Sequence, residues 1–198
     1  FCDNKYQKPV LGCMNSPIMS KIMGALSPTL NFEVGQVAQF PIINNLIAKT
    51  SNVSKVVDKL ILIAKEDWDL FETSWGFKEM PVLRFRSNQS SVKDAYETYI
   101  SHCKQMLAEM KELEEENNRI FVEAYDLQGE LVSEVPIEEI TLLANPRYRY
   151  RGEITDTEID LRLKADTMKE LISYAVGCMM GRYSLDVPAS FAFLARFS

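Results

Sequence analysis

The chain has few of the residues from which enzymes and metal sites are built. It contains one histidine, His102, among 198 residues, which excludes a site with several histidine ligands. Its eight glycines form no Gly-x-Gly pair, Walker loop or Gly-x-Ser-x-Gly turn, so common nucleotide-binding loops and the serine hydrolase nucleophile turn are excluded. Because His102 and Cys103 are adjacent on a predicted helix, they point about 100° apart and make a poor catalytic pair. The sequence therefore predicts no catalytic residue and no metal ligand.

Paired cysteines, long apolar runs and excess positive charge are also missing. The four cysteines, Cys2, Cys13, Cys103 and Cys178, form no Cys-x-x-Cys pair, so we expect reduced thiols in a cytoplasmic protein. No apolar run reaches the roughly eighteen residues of a membrane span, and no signal peptide is recognisable. The net charge of −6 argues against a generally cationic surface but allows a local basic patch. The chain starts at Phe1 and ends in an apolar tail, so we expect a piece of a longer protein.

The stretch 91–127 carries a heptad repeat that organises the rest of the chain. Its apolar or uncharged positions follow alternating steps of four and three residues, which is the pattern of a coiled-coil seam. Ser91 with Asp94 predicts a capping-box start, and Gly129 follows the end. Asn117 is typical of a polar seam residue that fixes the register of paired helices. The seam positions are Val92, Tyr96, Tyr99, Cys103, Met106, Met110, Leu113, Asn117, Ile120, Ala124 and Leu127.

A second heptad-like helix is predicted at about 157–183, where Thr155 and Glu158 offer another capping box. The simplest packing lays its apolar stripe against the stripe of 91–127, across a connection at 128–154. A third amphipathic helix is predicted from about Asn52 to Phe71, and Trp68 and Trp75 are expected in the core. The second stripe contains Leu161, Ala165, Met168, Ile172, Ala175 and Met179.

Short extended segments are predicted at Lys8–Leu11 and Asn31–Ile43, on either side of a helix that begins at Pro17. Further extended pieces are expected at 80–85 and 140–143. Together these patterns predict a mainly α fold, with long coiled-coil-like helices packed together and a small α+β segment at the N-terminus.

The densest basic and aromatic cluster is Arg147, Tyr148, Arg149, Tyr150 and Arg151. Alternating arginine and tyrosine can pair with phosphates and stack on bases or sugars, so these residues are the candidate DNA contacts. The alternative is a strand whose one charged face meets acidic residues of the same chain, such as Glu138 or Glu153.

The first residues of this cluster also belong to Asn145-Pro-Arg-Tyr148. This stretch is a variant of the Asn-Pro-Pro-Tyr motif with which amino-methyltransferases hold a flipped base. Arg147 replaces the second proline, and no cofactor glycine motif precedes it. A surface turn is therefore the better interpretation.

Several stretches resemble one protein family. Glu66-Asp-Trp-Asp-Leu-Phe-Glu-Thr-Ser-Trp75, Leu113-Glu-Glu-Glu-Asn-Asn-Arg-Ile-Phe121 and the long motif from Lys169 to Asp186 are similar to the phage-defence (BREX) adenine methyltransferases of the PglX type. Pro136 with Glu139-Ile-Thr141, and Asn145-Pro146, extend the resemblance over nearly the whole chain. In addition, Leu11-Gly-Cys-Met-Asn-Ser16 with Asn31-Phe-Glu-Val-Gly35 resembles the tail of target-recognition domains in type I specificity subunits and in fused restriction-modification enzymes.

The resemblance implies a fragment that follows the catalytic domain of such an enzyme. Residues 1–47 would end a target-recognition segment and residues 48–198 would form a helical spacer. The parent would transfer a methyl group from S-adenosylmethionine to N6 of adenine in double-stranded DNA, with the cofactor bound outside this fragment. Other phage-defence proteins are further candidate partners. The rival hypothesis is a coiled-coil interaction or oligomerisation module with no DNA contact.

Overall fold

The computed structural model describes residues 4–27, 33–43, 50–87, 91–152 and 154–183, and the regular elements within them are all helical. The mainly α prediction is confirmed, whereas the predicted α+β segment is wrong, because the described ranges contain no strand. The helices are α1 (Asn4–Met14), α2 (Pro17–Leu26), α3 (Val34–Val37), α4 (Thr50–Asp69), α5 (Pro81–Arg84), α6 (Val92–Ala124), α7 (Pro146–Arg149) and α8 (Asp156–Met179), with a 3-10 turn at Ile137–Glu139.

The predicted extended segments are helix or irregular chain instead. Lys8–Leu11 lies inside α1, and α3 occupies part of Asn31–Ile43, of which residues 31–32 lie outside the described residues. Pro81 begins α5 as its first helical residue, a position where a missing N–H costs nothing. Residues 140–143 form no ladder and end in a turn. Short apolar runs fit a strand or a helix equally well, and packing decides between them.

The chain divides into two compact units, each built from two separate segments. Unit 1 contains Phe1–Leu62 and Glu109–Pro136, and unit 2 contains Ile63–Ala108 and Ile137–Ser198. Helices α4 and α6 therefore each supply residues to both units. The assignment of 1–47 to target recognition and 48–198 to a spacer stays a prediction.

The core of unit 1 joins residues of α1, α2, α4 and α6. Asn117 donates a hydrogen bond from Nδ2 to the carbonyl oxygen of Gly12 at 3.0 Å, so it holds α1 in the place of the partner helix predicted for it. A Cβ on Gly12 would lie 2.7 Å from Asn117 Oδ1 and 2.9 Å from Val57 Cγ2, and the close approach therefore requires glycine. The buried apolar residues of this core are Cys13, Ile18, Met23, Phe40, Val53, Val57, Phe121 and Val122.

The core of unit 2 excludes both tryptophans, so their predicted core position is wrong. Trp68 is 51% exposed and Trp75 is 99% exposed. On this part of α4 the buried positions are Ile63, Asp67 and Leu70, and Trp68 lies about 100° around the helix from Asp67.

Helix α6 matches the predicted long helix to within a few residues. The stripe positions Tyr99, Cys103, Met106, Met110 and Asn117 are buried, which confirms this part of the predicted apolar face. Ala95, Leu107, Phe121 and Val122 are buried as well, so the covered face is broader than a two-position coiled-coil seam.

Helix α6 ends at Ala124, a few residues before the predicted end of the stretch 91–127, which Gly129 follows. Asp126 adopts φ 57°, and the N–H of Leu127 donates to the carbonyl oxygen of Val122 at 3.0 Å. This is a Schellman ending with aspartate at the left-handed position that glycine usually occupies.

Helix α8 is bounded by two motifs. Thr155 Oγ1 accepts from the N–H of Glu158 at 3.3 Å, and the N–H of Thr155 donates to Glu158 Oε2 at 3.1 Å, which confirms the predicted capping box. At the other end Gly181 has φ 72°, and the N–H of Arg182 donates to the carbonyl oxygen of Gly177 at 2.7 Å.

The predicted apolar stripe of α8, here called the α8 stripe, faces away from the core of its unit. Leu161 is 62% exposed, Ile172 is 65% exposed and Met179 is 87% exposed. The opposite face is buried and contains Ile159, Leu163, Thr167 and Tyr174. The predicted packing of this stripe against the α6 stripe is therefore wrong.

Within the described ranges, no helix is long and apolar enough to cross a membrane.

Candidate nucleic-acid interface

The candidate interface follows an irregular segment that a buried carboxylate fixes in place. Asp67 of α4 accepts hydrogen bonds from the backbone N–H groups of Leu143, at 2.7 Å, and Ala144, at 2.8 Å. Asp67 is 4% exposed, and its burial raises the pKa of the carboxyl group although these two bonds oppose the shift. The pair of bonds satisfies two N–H groups that no regular element would satisfy.

Asn145 connects this segment to α7. Its Oδ1 accepts from the N–H of Arg147 at 3.1 Å, which caps the short helix, and its Nδ2 donates to the carbonyl oxygens of Ile137, at 2.7 Å, and Ile140, at 2.8 Å. Asn145 is fully buried. The side-chain amide is occupied by the backbone around it, so Asn145 is the buried cap of a short helical turn whose other residues, Pro146 to Tyr148, are partly exposed.

The five cluster residues lie on and directly after α7, and two of the arginines contact acidic residues of α8. Arg147 pairs with Asp156, and Arg149 pairs with Glu170 at 2.8 Å. The Arg149 guanidinium also lies 5.5 Å from the centroid of the Phe71 ring. The alternative interpretation is wrong about a strand, because residues 146–149 are helical, and the acidic partners differ from Glu138. Glu153 lies outside the described residues. The pairing with acidic residues of the same chain is nevertheless of the kind that this interpretation predicted.

Tyr150 and Arg151 complete the cluster in different ways. The Tyr150 hydroxyl donates to Asp166 Oδ2 at 2.9 Å. Burial of the hydroxyl and, to a smaller extent, this hydrogen bond raise the pKa of Tyr150 to about 12. Arg151 is exposed, and its guanidinium carbon lies 4.6 Å from the centroid of the Tyr148 ring. Arg151 and Tyr148 therefore form a stacked cation and ring, the arrangement that suits contact with a phosphate and a base.

The single histidine of the sequence, His102, contacts Glu66 and Phe85. His102 Nε2 lies 3.2 Å from Glu66 Oε1, and the imidazole lies tilted against the Phe85 ring with centroids 4.9 Å apart. Cys103 is buried, and burial raises the pKa of its thiol to about 11. A thiol with a raised pKa is a poor nucleophile.

Sequence reasoning missed Asp67, which positions the whole region. The signal was present, because Asp67 follows Ile63 by four residues and precedes Leu70 by three, and so shares their helix face. An acidic residue on an otherwise apolar face indicates a buried polar contact. Its partners could not be identified, since they lie 76 and 77 residues further along the chain.

Comparison with known proteins confirms the family resemblance. The chain is 36% identical over 190 residues to the adenine-specific methyltransferase BrxX of Escherichia coli O9:H4 (strain HS), an alignment that covers 94% of this chain and 15% of that protein. It is 32% identical over 184 residues to the adenine-specific methyltransferase PglX of Lacticaseibacillus casei (strain Zhang), covering 90% of this chain and 13% of that protein.

The chain thus spans about one seventh of the length of these curated relatives. No protein-family model matches it. Both alignments cover nearly all of this chain, and each covers one segment of a much longer protein. The chain is homologous to a segment of the BREX adenine-specific methyltransferases BrxX and PglX.

Proposed function

We propose that the chain is the non-catalytic helical spacer and DNA-recognition portion of an S-adenosylmethionine-dependent N6-adenine DNA methyltransferase of a phage-defence system. The observation that carries this proposal is homology over 94% of the chain to a short segment of a named adenine-specific methyltransferase. The sequence supplies no cofactor glycine motif, so S-adenosylmethionine would bind elsewhere in the parent.

The spacer role is supported by α6. This uninterrupted helix of 33 residues would be roughly 50 Å long at 1.5 Å per residue. Residues 92–108 belong to one compact unit and residues 109–124 to the other. A continuous helix that supplies core residues to two units is an element suited to a spacer.

The DNA-contact role rests on the cluster Arg147–Arg151. Acidic residues of α8 already neutralise Arg147 and Arg149, so Arg151 with Tyr148 is the strongest candidate for a phosphate contact. Tyr150 is engaged with Asp166 and would hold the cluster in position.

The test is the affinity of the full chain for a fluorescent DNA duplex, measured by anisotropy over a range of salt concentrations. Arg151→Ala should weaken binding and reduce the slope of log K against log salt by about 0.9, the value for one lost phosphate contact. Lys104→Ala removes an exposed cation from α6 and is the matched control. Equal affinity and slope in the parent chain, Arg151→Ala and Lys104→Ala would count against a DNA contact here.

The non-catalytic role has a separate test. Incubation of the isolated chain with tritiated S-adenosylmethionine and adenine-containing duplex should give no transfer above background. Incorporation of label into N6 of adenine would contradict the proposal.

The alternative function is a coiled-coil interaction or oligomerisation module. Self-association through the α6 stripe has less support, because the chain's own residues bury the central part of that stripe. Sedimentation over a concentration series, with Asn117→Leu beside the parent chain, distinguishes the two functions. A dimer that strengthens in Asn117→Leu would favour the alternative.

A further inference from the structure

The α8 stripe is an apolar surface that the described residues leave uncovered. It repeats at steps of four and three residues over Leu161 to Met179, and the opposite face of α8 packs into unit 2 through Leu163 and Tyr174. Contiguous exposed apolar surface of this kind marks an interaction site. Since its spacing is that of a coiled-coil seam, a helix fits it better than a flat surface does.

The residues beside the stripe determine which helix would fit. In heptad terms Arg162 and Lys169 occupy e positions and Lys164 occupies a g position, where side chains meet those of a partner helix. All three are exposed, and Lys169 also pairs within α8 with Asp166 at 3.0 Å. Of the acidic side chains next to these positions, Glu158 is engaged in the capping box with Thr155, and Asp166 bonds to Lys169 and Tyr150. Asp160 occupies a c position, outside the two flanks. The flanks of the stripe are therefore basic along its N-terminal half.

Basic flanks disfavour a second copy of this chain as the occupant. Two α8 stripes laid together would place lysine and arginine against lysine and arginine, and like charges across a helix pair are destabilising. A helix with glutamate or aspartate beside its apolar stripe would pair favourably with all three cations.

We propose that the α8 stripe is the docking site of an amphipathic helix with acidic flanks, contributed by the remainder of the longer methyltransferase. The source follows from length, because the matched relatives extend far beyond the segment that this chain covers. That the helix comes from the parent methyltransferase rests on the proposed function. That the stripe binds an acidic amphipathic helix does not, and it holds whether or not the chain contacts DNA.

The first experiment tests the chemistry with two synthetic helical peptides. Both carry leucine at a and d; one has glutamate and the other lysine at e and g. The full chain should bind the glutamate peptide about tenfold more tightly than the lysine peptide, the size expected for a few exposed ion pairs. Ile172→Asn should abolish binding, and the double variant Lys164→Glu/Lys169→Glu should reverse the preference. Circular dichroism should show both variants folded, since all three side chains are exposed.

Three outcomes of this experiment would overturn the proposal. The first is binding of neither peptide, or of both equally. The second is a dimer of the chain that Ile172→Asn abolishes, which would assign the stripe to a second copy. The third is sedimentation with anionic phosphatidylglycerol vesicles that the same variant prevents, which would assign it to a lipid surface.

The second experiment tests the source by thiol labelling. Ile172→Cys should react with a maleimide in the isolated chain, where residue 172 is 65% exposed. In the intact parent methyltransferase, with no other protein present, the same cysteine should be protected from the maleimide. Ser173→Cys, exposed but off the stripe, is the matched control and should react in both, with modified sites assigned by mass spectrometry. Labelling of residue 172 in the intact parent would overturn the source, even if the peptide preference holds and even if DNA binding fails.

Discussion

Helices α6 and α8 carry the same heptad spacing, but α6 buries its heptad stripe and α8 buries the face behind its stripe. On α6 the stripe positions from Tyr99 to Met110 are buried, whereas on α8 the equivalent stripe is mostly exposed and the face behind it is buried. The buried face of α8 includes Thr167 and Tyr174, and Thr167 satisfies its hydroxyl by donating to the carbonyl oxygen of Leu163 at 2.8 Å. Spacing therefore shows that a helix has an apolar stripe, but the neighbouring elements decide which side is covered.

The largest expected effect contrasts one residue from each stripe. Met106→Ala on α6 should lower the free energy of unfolding by about 2–5 kcal/mol, because it opens a cavity at a position that is 5% exposed. Ile172→Ala on α8 should change it by less than about 0.5 kcal/mol. Urea unfolding followed by circular dichroism measures both. Equal losses would mean that the α8 stripe is covered in the isolated chain.

A second pair of variants tests the polar residue of the α6 stripe through its contact with α1. Gly12→Ala should cost about 1–3 kcal/mol, because the added methyl group would overlap Asn117 Oδ1 and Val57. Gly24→Ala, in α2 with nothing within 4 Å, should instead stabilise the chain by about 0.5–1 kcal/mol. Thermal unfolding compares them. A neutral Gly12→Ala would show that Asn117 does not hold α1 closely.

These expectations depend partly on the sequence and partly on contacts that it does not reveal. The bounds of α6 and the capping box of α8 were predictable, because a helix start depends on residues three apart. The exposure of Trp75 and the orientation of α8 were not, since both depend on residues distant in the chain. The candidate cluster could be recognised from its alternating arginine and tyrosine residues. The pairing of Arg149 with Glu170, 21 residues further along the chain, could be seen only in the structure.

A smaller effect is expected at the end of α6. Asp126→Gly should raise the free energy of unfolding by about 0.5–1 kcal/mol, because φ 57° strains any residue with a Cβ and glycine adopts it freely. Glu123→Gly, one turn earlier and inside the helix, should destabilise and serves as the opposite control. Loss of stability in both variants would contradict a left-handed ending at Asp126.

The smallest expected effect is a pH dependence at Asp166 of α8, whose side chain is partly exposed. Hydrogen bonds from Lys169 and then Tyr150 hold the pKa of the Asp166 carboxyl below its ordinary value of 3.8. A lowered folded-state pKa stabilises the fold above the unfolded pKa, and the contribution is lost as pH falls through the folded pKa. The stability difference between the parent chain and Asp166→Asn should therefore shrink between pH 5 and about pH 3. A difference that stays constant with pH would contradict the contact.

Asp67→Asn gives the opposite slope and completes the comparison. Burial raises the pKa of Asp67, so its protonated form is favoured in the fold, and this stability is present below the unfolded pKa and lost as pH rises through the folded pKa. The parent chain should lose stability relative to Asp67→Asn as pH rises above about 3.8. Urea midpoints at matched pH values test both aspartates.

The interleaved segments of the two units have a consequence for synthesis and for engineering. Residues 1–62 leave the ribosome before 109–136, the stretch that completes their core, and 63–108 must likewise wait for 137–198. Unit 1 should therefore resist protease only after residues 109–136 have emerged, and unit 2 only after residues beyond 136 have followed them. For the same reason, any expression boundary between residues 62 and 109 would leave both products with open cores, and a boundary after residue 136 would keep unit 1 complete only with residues 63–108 still attached to it.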